Sequence, residues 1–323
     1  MWQIDNKTYF KMMNIPVLLI TYNRKENALK VLDCLREVRI STLYIACDGA
    51  KESAQDKKKV QRTREAVQAA VDWECSVQYR FSDRNQGCKY GPVNAINWIF
   101  EREEWAIILE DDIVPNSSFF LFCEELLERY KNREEIMMIS GCNIMSKTES
   151  AGGSYFFEPI ATTWGWATWK RAWEKYDVAM QGWREMKKRK VLKRLFLRDT
   201  AFSLKRDFEN AAENDTDIWD YQWQYTMIKS GGLGIVPKYC MVRNIGFNDK
   251  DATHTNAVPF KYKDFLMPFP LIHPPKQEGN REYELYVETQ IYRVNYWHLL
   301  VKKVLPKRMV GKIRKISRIG DLI

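Results

Sequence analysis

The sequence predicts an α/β protein with a mostly parallel, doubly wound sheet flanked by helices. Short apolar runs of strand length alternate with segments of helical periodicity through the first half of the chain, which is the order of repeated βαβ units. The runs are apolar throughout, as in strands that are buried on both faces. Each run ends in polar residues, and ligands of such sheets bind beyond the carboxyl ends of the strands.

The predicted elements follow one another in this order. Residues 15–21 form an apolar run bounded by polar residues and are the first predicted strand. Apolar residues at helical spacing predict a helix over Lys25–Glu37, and Thr42–Cys47 returns to a strand-like run. The alternation continues with a helix at 56–71, a strand at 77–81, a helix at 93–100 and a strand at 105–109. The second half is less regular, with a further strand at 136–141, a Trp-rich stretch at 164–173, a basic stretch at 187–198 and a proline-rich connection at 268–275.

The composition excludes several classes of protein. With 323 residues, 45% of them hydrophobic and 12 of them Trp, the chain has ample apolar surface for a folded core. No apolar run approaches the roughly 20 residues that cross a bilayer, and no signal peptide is recognisable. The 7 cysteines form no CxxC pair, which indicates a reduced, cytoplasmic location. The net charge of +9 predicts an anionic partner: nucleic acid, a nucleotide or an anionic membrane surface.

Three consecutive carboxylates, Glu110, Asp111 and Asp112, follow the fourth predicted strand. They repel one another, so they need a cation or the N–H groups of a helix that begins near Ser117. Acidic residues at such a junction can simply cap the helix or face water. Their place at the edge where nucleotides bind favours Mg²⁺ or Mn²⁺, because carboxylates and phosphates are the usual ligands of these ions and the 3 His are too dispersed for a His-built site.

Residues 107–120, with Pro115 and paired Phe119 and Phe120 after the acidic triplet, resemble the acidic motif of GT-A glycosyltransferases. They are most similar to the branch of Golgi N-acetylglucosaminyltransferase I. Other segments resemble the same branch in the same order, together covering residues 15–255. These are the opening strand with its Arg at 16–24, the strand ending in a uracil-reading Asp at 44–49, the Gly-Trp loop at 165–166, the Trp-Asp-Asp-Trp segment at 219–223 and the closing segment at 236–255.

The resemblance implies a GT-A (Rossmann-like) fold and an inverting, metal-dependent transfer of a sugar. The donor would be a nucleotide-diphosphate sugar, UDP-linked, and the acceptor a hydroxyl of a lipid-linked molecule or a polysaccharide glycan. It implies Asp220 as the catalytic base and Asp112 as the ligand of Mn²⁺ or Mg²⁺. It implies donor contacts from Thr21, Arg24, Asp48, Lys89, Glu110, Asp111, Gly165 and Trp166. The implied organisation is an N-terminal extension at 1–13, a catalytic domain at 14–260 divided into a nucleotide half (14–145) and an acceptor half (146–260), and a C-terminal extension at 261–323.

This chain departs from the family pattern in three places. Tyr221 stands where the second Asp of the base segment would be, so Asp220 alone can take that role. Lys89 replaces a His near the nucleotide and would offer a point charge to phosphate. The basic insertion at 187–206 has no counterpart. From the residues alone, a surface or capping Asp is the preferred interpretation of Asp220, and the Trp-rich stretch could equally be core, since Trp166, Trp169 and Trp173 are three and four residues apart. We place Gly165 and Trp166 at the site and Trp169 and Trp173 in the core.

Two other functions compete with this interpretation. A nucleotidyltransferase shares the nucleotide-binding sheet and the metal carboxylates, but the first strand here is followed by residues 21–27, which contain no Gly. A nucleic-acid-binding protein would explain the positive charge. The basic residues, however, concentrate at 187–206 and in the tail, while acidic residues occupy the strand ends where a phosphate backbone would pass. We therefore predict no nucleic-acid partner.

The C-terminal tail predicts a contact with membrane. Between residues 302 and 318 there are eight basic residues and no acidic one, interleaved with aliphatic residues. This pattern is typical of an amphipathic helix that lies on an anionic membrane surface, although a solvated terminus is the alternative. The sequence thus predicts a cytoplasmic protein, peripheral on the inner face of the cell membrane.

Overall fold

The computed structural model of the protein describes residues 13–214, 216–247 and 263–294. The predicted basic tail, the segment around His254 and nearly all of the N-terminal extension lie outside these residues. The strands are β1 (Val17–Thr21), β2 (Thr42–Cys47), β3 (Ser76–Phe81), β4 (Trp105–Glu110), β5 (Ile113–Pro115), β6 (Ile136–Ser140), β7 (Tyr155–Glu158), β8 (Trp166–Trp169), β9 (Leu233–Pro237) and β10 (Val242–Asn244). The helices are α1 (Lys25–Glu37), α2 (Ala54–Ala70), α3 (Gly87–Phe100), α4 (Ser117–Tyr130), α5 (Lys170–Trp173), α6 (Trp183–Lys188), α7 (Val191–Leu195), α8 (Arg198–Glu213), α9 (Asp220–Lys229) and α10 (Arg281–Tyr286), which continues into a π-helical turn at Val287–Ile291.

Eight strands form one sheet in the order β3-β2-β1-β4-β8-β6-β9-β7, and β5 pairs with β10 in a separate ribbon. Strands β1 to β4 are mutually parallel where they pair, and β6 is parallel to β9. Strand β8 runs antiparallel between β4 and β6, and β7 is antiparallel to β9. The predicted α/β class with a mostly parallel sheet flanked by helices is therefore confirmed, with a mixed second half that the sequence pattern did not predict.

Both faces of the sheet are covered, which explains why the strands are apolar throughout. In β1, Leu19 packs into the core on the face of α1 and α4, whereas Leu18 packs on the opposite face with α3 and α9. Strand β4 divides in the same way between Ile107 and Ile108. Helices α6, α7 and α8, together with Tyr225 and Ile228 of α9, enclose a smaller apolar cluster around Phe208. No helix in the described ranges is long and apolar enough to cross a membrane.

The strand order places a topological switch point between β1 and β4. From β1 the chain proceeds outward through β2 and β3 and then returns to place β4 on the other side of β1. In the register of these two parallel strands Ile20 lies opposite Glu110. The loop after β1 and the acidic triplet after β4 therefore emerge side by side, at the position where open α/β sheets bind their ligands.

Candidate active site

A cavity of about 400 Å³ opens at the carboxyl ends of β1 to β4. Its walls come from the loops that follow these strands, from the first turns of α3, and from the segment 217–221 at the start of α9. Seven of the predicted site residues line it: Thr21, Arg24, Asp48, Glu110, Asp111, Asp112 and Asp220. Residues as far apart in sequence as Thr21 and Asp220 thus meet at one place.

The guanidinium of Arg24 holds two of the three carboxylates. It contacts Asp111 Oδ1 at 2.5 Å through one nitrogen and Asp112 Oδ2 at 2.8 Å through another. The Tyr22 backbone N–H donates to the other oxygen of Asp111 at 3.3 Å. Asp111 is 2% exposed and is therefore a structural partner of the loop after β1, whereas the Asp112 side chain retains access to the cavity. One cation on three carboxylates leaves the triplet with an excess of negative charge.

Two acids of the triplet, Glu110 and Asp111, have pKa values that are raised above the ordinary values of these side chains. Burial, together with the charges of Asp112 and Asp111, raises the pKa of Glu110 well above its ordinary value. Burial raises the pKa of Asp111 as well, although Arg24 opposes the shift. Glu110 lines the cavity beside Asp111 and Asp112. The excess of negative charge at this site favours a proton or a further cation there.

The residues present fit a Mg²⁺ or Mn²⁺ ion. The acidic triplet offers carboxylate oxygens, the hard ligands that these ions prefer, and Asp112 presents its carboxylate to the cavity. In the described ranges, no three His, Cys, Asp or Glu residues are arranged so that they could hold a metal by themselves. An ion here would therefore take one or two carboxylates from the protein and the rest of its ligands from phosphates and water, which is the usual mode for Mg²⁺.

Asp220 reaches the cavity because the residues just before it are held in place. Before it, Asp217 Oδ1 accepts a hydrogen bond of 2.7 Å from the backbone N–H of Lys89 at the start of α3. The next anchor is Trp219, which is buried and stacks on Trp166. The Trp219 carbonyl accepts a hydrogen bond of 3.0 Å from the Tyr176 hydroxyl. Asp220 is the first residue of α9, and its charge is near enough to raise the pKa of Glu110 further. Asp220 and the acidic triplet therefore share one cavity.

Asp48 is tied to the loop that precedes α3. Its two carboxylate oxygens accept hydrogen bonds from the backbone N–H groups of Gly49, Gln86 and Gly87 and from the Asn85 side chain, at 2.7 to 3.1 Å. A carboxylate has about four lone-pair sites, and four donors already occupy them. The observed role of Asp48 is thus to hold the start of α3 against the end of β2, and its reading of uracil stays a prediction.

We expect Asp48→Asn to weaken the binding of uridine and guanosine nucleotides alike. The amide has only one acceptor oxygen, so it leaves backbone N–H groups of residues 86–87 unpaired, at an expected cost of about 1–3 kcal/mol in unfolding free energy. Thermal unfolding and titration with UDP and GDP would measure both effects. Asn85→Ala, which removes one of the four donors, should act in the same direction but more weakly. A loss confined to uridine nucleotides would instead support direct reading of the base.

Three predicted donor contacts lie elsewhere in the structure. Lys89 is 6% exposed and does not line the cavity, and its ammonium lies 5.4 Å from the centroid of the Tyr90 ring. Trp166 is 1% exposed and stacks on Trp219, with ring centroids 5.8 Å apart, so it supports the cavity wall from behind. Gly165 has a φ of +59°, and a Cβ there would lie 2.9 Å from Val242 Cγ1. Trp169 is buried in the core, as predicted.

Sequence reasoning missed residues that assemble the cavity. Asp56, in the first turn of α2, accepts hydrogen bonds from the Tyr22 hydroxyl at 2.5 Å and from the Asn23 amide at 2.7 Å. It also accepts one from the backbone N–H of Lys51, which links the loops after β1 and β2. The Ser53-x-x-Asp56 pattern marks a helix start, and Ser53 does cap α2. Nothing in that pattern indicates a contact with Tyr22.

Comparisons with known proteins leave the family of this chain unassigned. No model of a protein family matches it, and no curated protein matches it. Among solved structures it is similar to one described as the crystal structure of HddC from Yersinia pseudotuberculosis, at 7% sequence identity. That similarity covers 50% of this chain and 80% of the other, with a TM-score of 0.31, which is too weak to support an argument about fold or function.

Proposed function

We propose that this protein is an inverting, metal-dependent glycosyltransferase of the GT-A type. It moves a sugar from a nucleotide-diphosphate sugar, UDP-linked as the sequence resemblance implies, to a hydroxyl of a lipid-linked or polysaccharide acceptor. The observation that carries the proposal is the meeting of the acidic triplet, at the switch point between β1 and β4, with Asp220 in one cavity of about 400 Å³.

The triplet and Arg24 form the diphosphate end of the proposed site. When bound, Mn²⁺ or Mg²⁺ on Asp112 supplies positive charge that neutralises the leaving nucleoside diphosphate. Arg24 already lies on Asp111 and Asp112, so its guanidinium is oriented toward the same place. Positive charge there stabilises the transition state more than the ground state, because negative charge on the leaving group grows as the glycosidic bond breaks.

Asp220 is the proposed base at the acceptor end. A sugar hydroxyl is a weak nucleophile near neutral pH, and a positioned carboxylate that accepts its proton contributes roughly 10²–10⁴ in rate. The oxygen of the hydroxyl then attacks the anomeric carbon as the bond to the diphosphate breaks. Because one carboxylate serves one displacement, the product has the inverted anomeric configuration.

Thermal unfolding in the presence of candidate donors tests this proposal. We expect a UDP-sugar with Mn²⁺ to stabilise the protein, by about 2.7 kcal/mol at a ligand concentration of 100 times Kd, and EDTA to abolish the effect. Stabilisation by a nucleoside triphosphate, with pyrophosphate released from it on addition of a sugar phosphate, would identify a nucleotidyltransferase. A salt-dependent shift with generic nucleic acid and none with sugar nucleotides would identify a nucleic-acid-binding protein.

A further inference from the structure

A second cavity of about 410 Å³ lies on the other side of the first turn of α9. Asp220 and Tyr221 line the first cavity, whereas Gln224, one helical turn later, lines the second. The loop before β8 is shared in the same way, with residues 159–162 on the second cavity and 163–164 on the first. The two cavities are therefore neighbours that share two walls.

The interior of the second cavity is largely apolar and carries little charge. Its apolar lining includes Phe157, Ile160, Leu197, Leu233, Val287 and Ile291. Glu158 is the buried acid of this lining, 5% exposed, and one of its oxygens accepts a hydrogen bond of 2.9 Å from the backbone N–H of Asn280. Burial raises the pKa of Glu158 to about 8, so the carboxyl is mostly protonated and neutral at pH 7. Such an interior suits a hydrocarbon chain.

Two basic residues line this cavity, Arg194 and Arg281, and Arg281 pairs with Glu284 at 2.8 Å, so Arg194 is the cation that the lining leaves for a ligand; it belongs to a basic segment. Residues 187–206 contain nine Lys and Arg and one acidic residue, Asp199. Arg194 lines the cavity, and beside it Lys193 and Lys190 are exposed. Within the described ranges these three side chains form no ion pair, whereas Lys187 and Lys205 of the same segment pair with Glu209. Next to Arg194, Leu195 is 48% exposed, so cationic and apolar side chains alternate at the opening.

We infer that the second cavity binds an anionic amphiphile, with its hydrocarbon chain inside and its phosphate head on Arg194 at the opening. A neutral amphiphile would leave the cation at the opening unused, and a free anion would leave the apolar interior unfilled. If the proposed function holds, the amphiphile is the lipid part of the acceptor, since the cavity begins one helical turn from Asp220. The binding itself does not depend on that function.

Isothermal titration of the full chain with dodecyl phosphate, below its critical micelle concentration, tests the inference. We expect dodecyl phosphate to bind at least about tenfold more tightly than dodecyl maltoside or inorganic phosphate, because only it provides both the chain and the anion. Arg194→Glu should weaken binding by about tenfold or more. Lys188→Glu is the matched control, because Lys188 is exposed on the same segment but does not line the cavity. Its affinity for dodecyl phosphate should stay within about twofold of that of the unchanged protein.

A second variant tests the interior. Ile160→Trp places a larger side chain in the cavity and should lower the affinity for dodecyl phosphate by about tenfold. Thermal unfolding of the variant would show whether it is folded. If that variant fails to fold, Arg194→Glu still tests the inference, because Arg194 is exposed and its substitution should leave the fold intact. Equal weakening by Arg194→Glu and Lys188→Glu, or equal affinity for dodecyl maltoside, would overturn the inference. Donor-dependent stabilisation without dodecyl phosphate binding would refute only this inference, and the reverse result would refute only the proposed function.

Discussion

Asp220→Asn lowers sugar transfer by roughly 10² or more and leaves donor affinity within a few-fold, if Asp220 is the catalytic base. The amide keeps the size of the side chain and one acceptor oxygen, but it cannot take the proton of the acceptor hydroxyl. Asp220 is the first residue of α9, and its Oδ1 accepts a hydrogen bond of 2.9 Å from the next backbone N–H, which the amide oxygen can retain. Steady-state transfer and donor titration would measure the two effects separately.

Asp33→Asn is a suitable control for Asp220→Asn. The Asp33 side chain is 62% exposed and pairs with Arg36 on α1, so its loss should change neither transfer nor donor binding. If Asp220→Asn instead weakened donor binding strongly while turnover at saturating donor stayed near normal, Asp220 would belong to the nucleotide site. A large loss of thermal stability would make it a structural residue of the α9 start.

The part of the site that could be predicted from the sequence is the part that local pattern determines. Strands β1 and β4 are apolar runs, and the polar residues that follow them must meet once the strands are parallel neighbours. This topology brings Arg24 close to Asp111 and Asp112. The sequence does not predict that the guanidinium contacts both carboxylates at once, at 2.5 and 2.8 Å.

The remaining features depend on contacts between distant parts of the chain. Asp217 reaches the cavity because it caps the start of α3, 128 positions earlier in the sequence. Trp166 is excluded from the cavity because β8 inserts antiparallel between β4 and β6 and carries this side chain to the face where Trp219 stacks. A Trp beside a Gly has the same appearance in sequence whether it stacks on a ligand or on another Trp. Only the strand order distinguishes these two possibilities.

Asp112→Ala should abolish the divalent-cation dependence of donor binding and lower donor affinity by roughly 10² or more in the presence of Mn²⁺. Asp112 and Asp111 both contact Arg24, but the Asp112 side chain is 15% exposed at the cavity, whereas that of Asp111 is 2% exposed and bound to the loop after β1. The fold should persist, because Arg24 retains Asp111. Removing one of three crowded charges also relieves the repulsion that raises the pKa of Glu110.

Three measurements on this variant separate the metal site from a merely structural acid. Thermal unfolding without ligand should be unchanged or shifted slightly upward, because the loss of Asp112 lowers the pKa of Glu110 toward its ordinary value and makes its ionisation easier. Titration of UDP-sugar with and without Mn²⁺ should give the same weak affinity. Asp111→Asn, in contrast, should lower thermal stability, because it removes the buried partner of Arg24. Undiminished Mn²⁺-dependent binding in Asp112→Ala would show that the cation is held elsewhere, and the proposed roles of the triplet and of Arg24 would be wrong together.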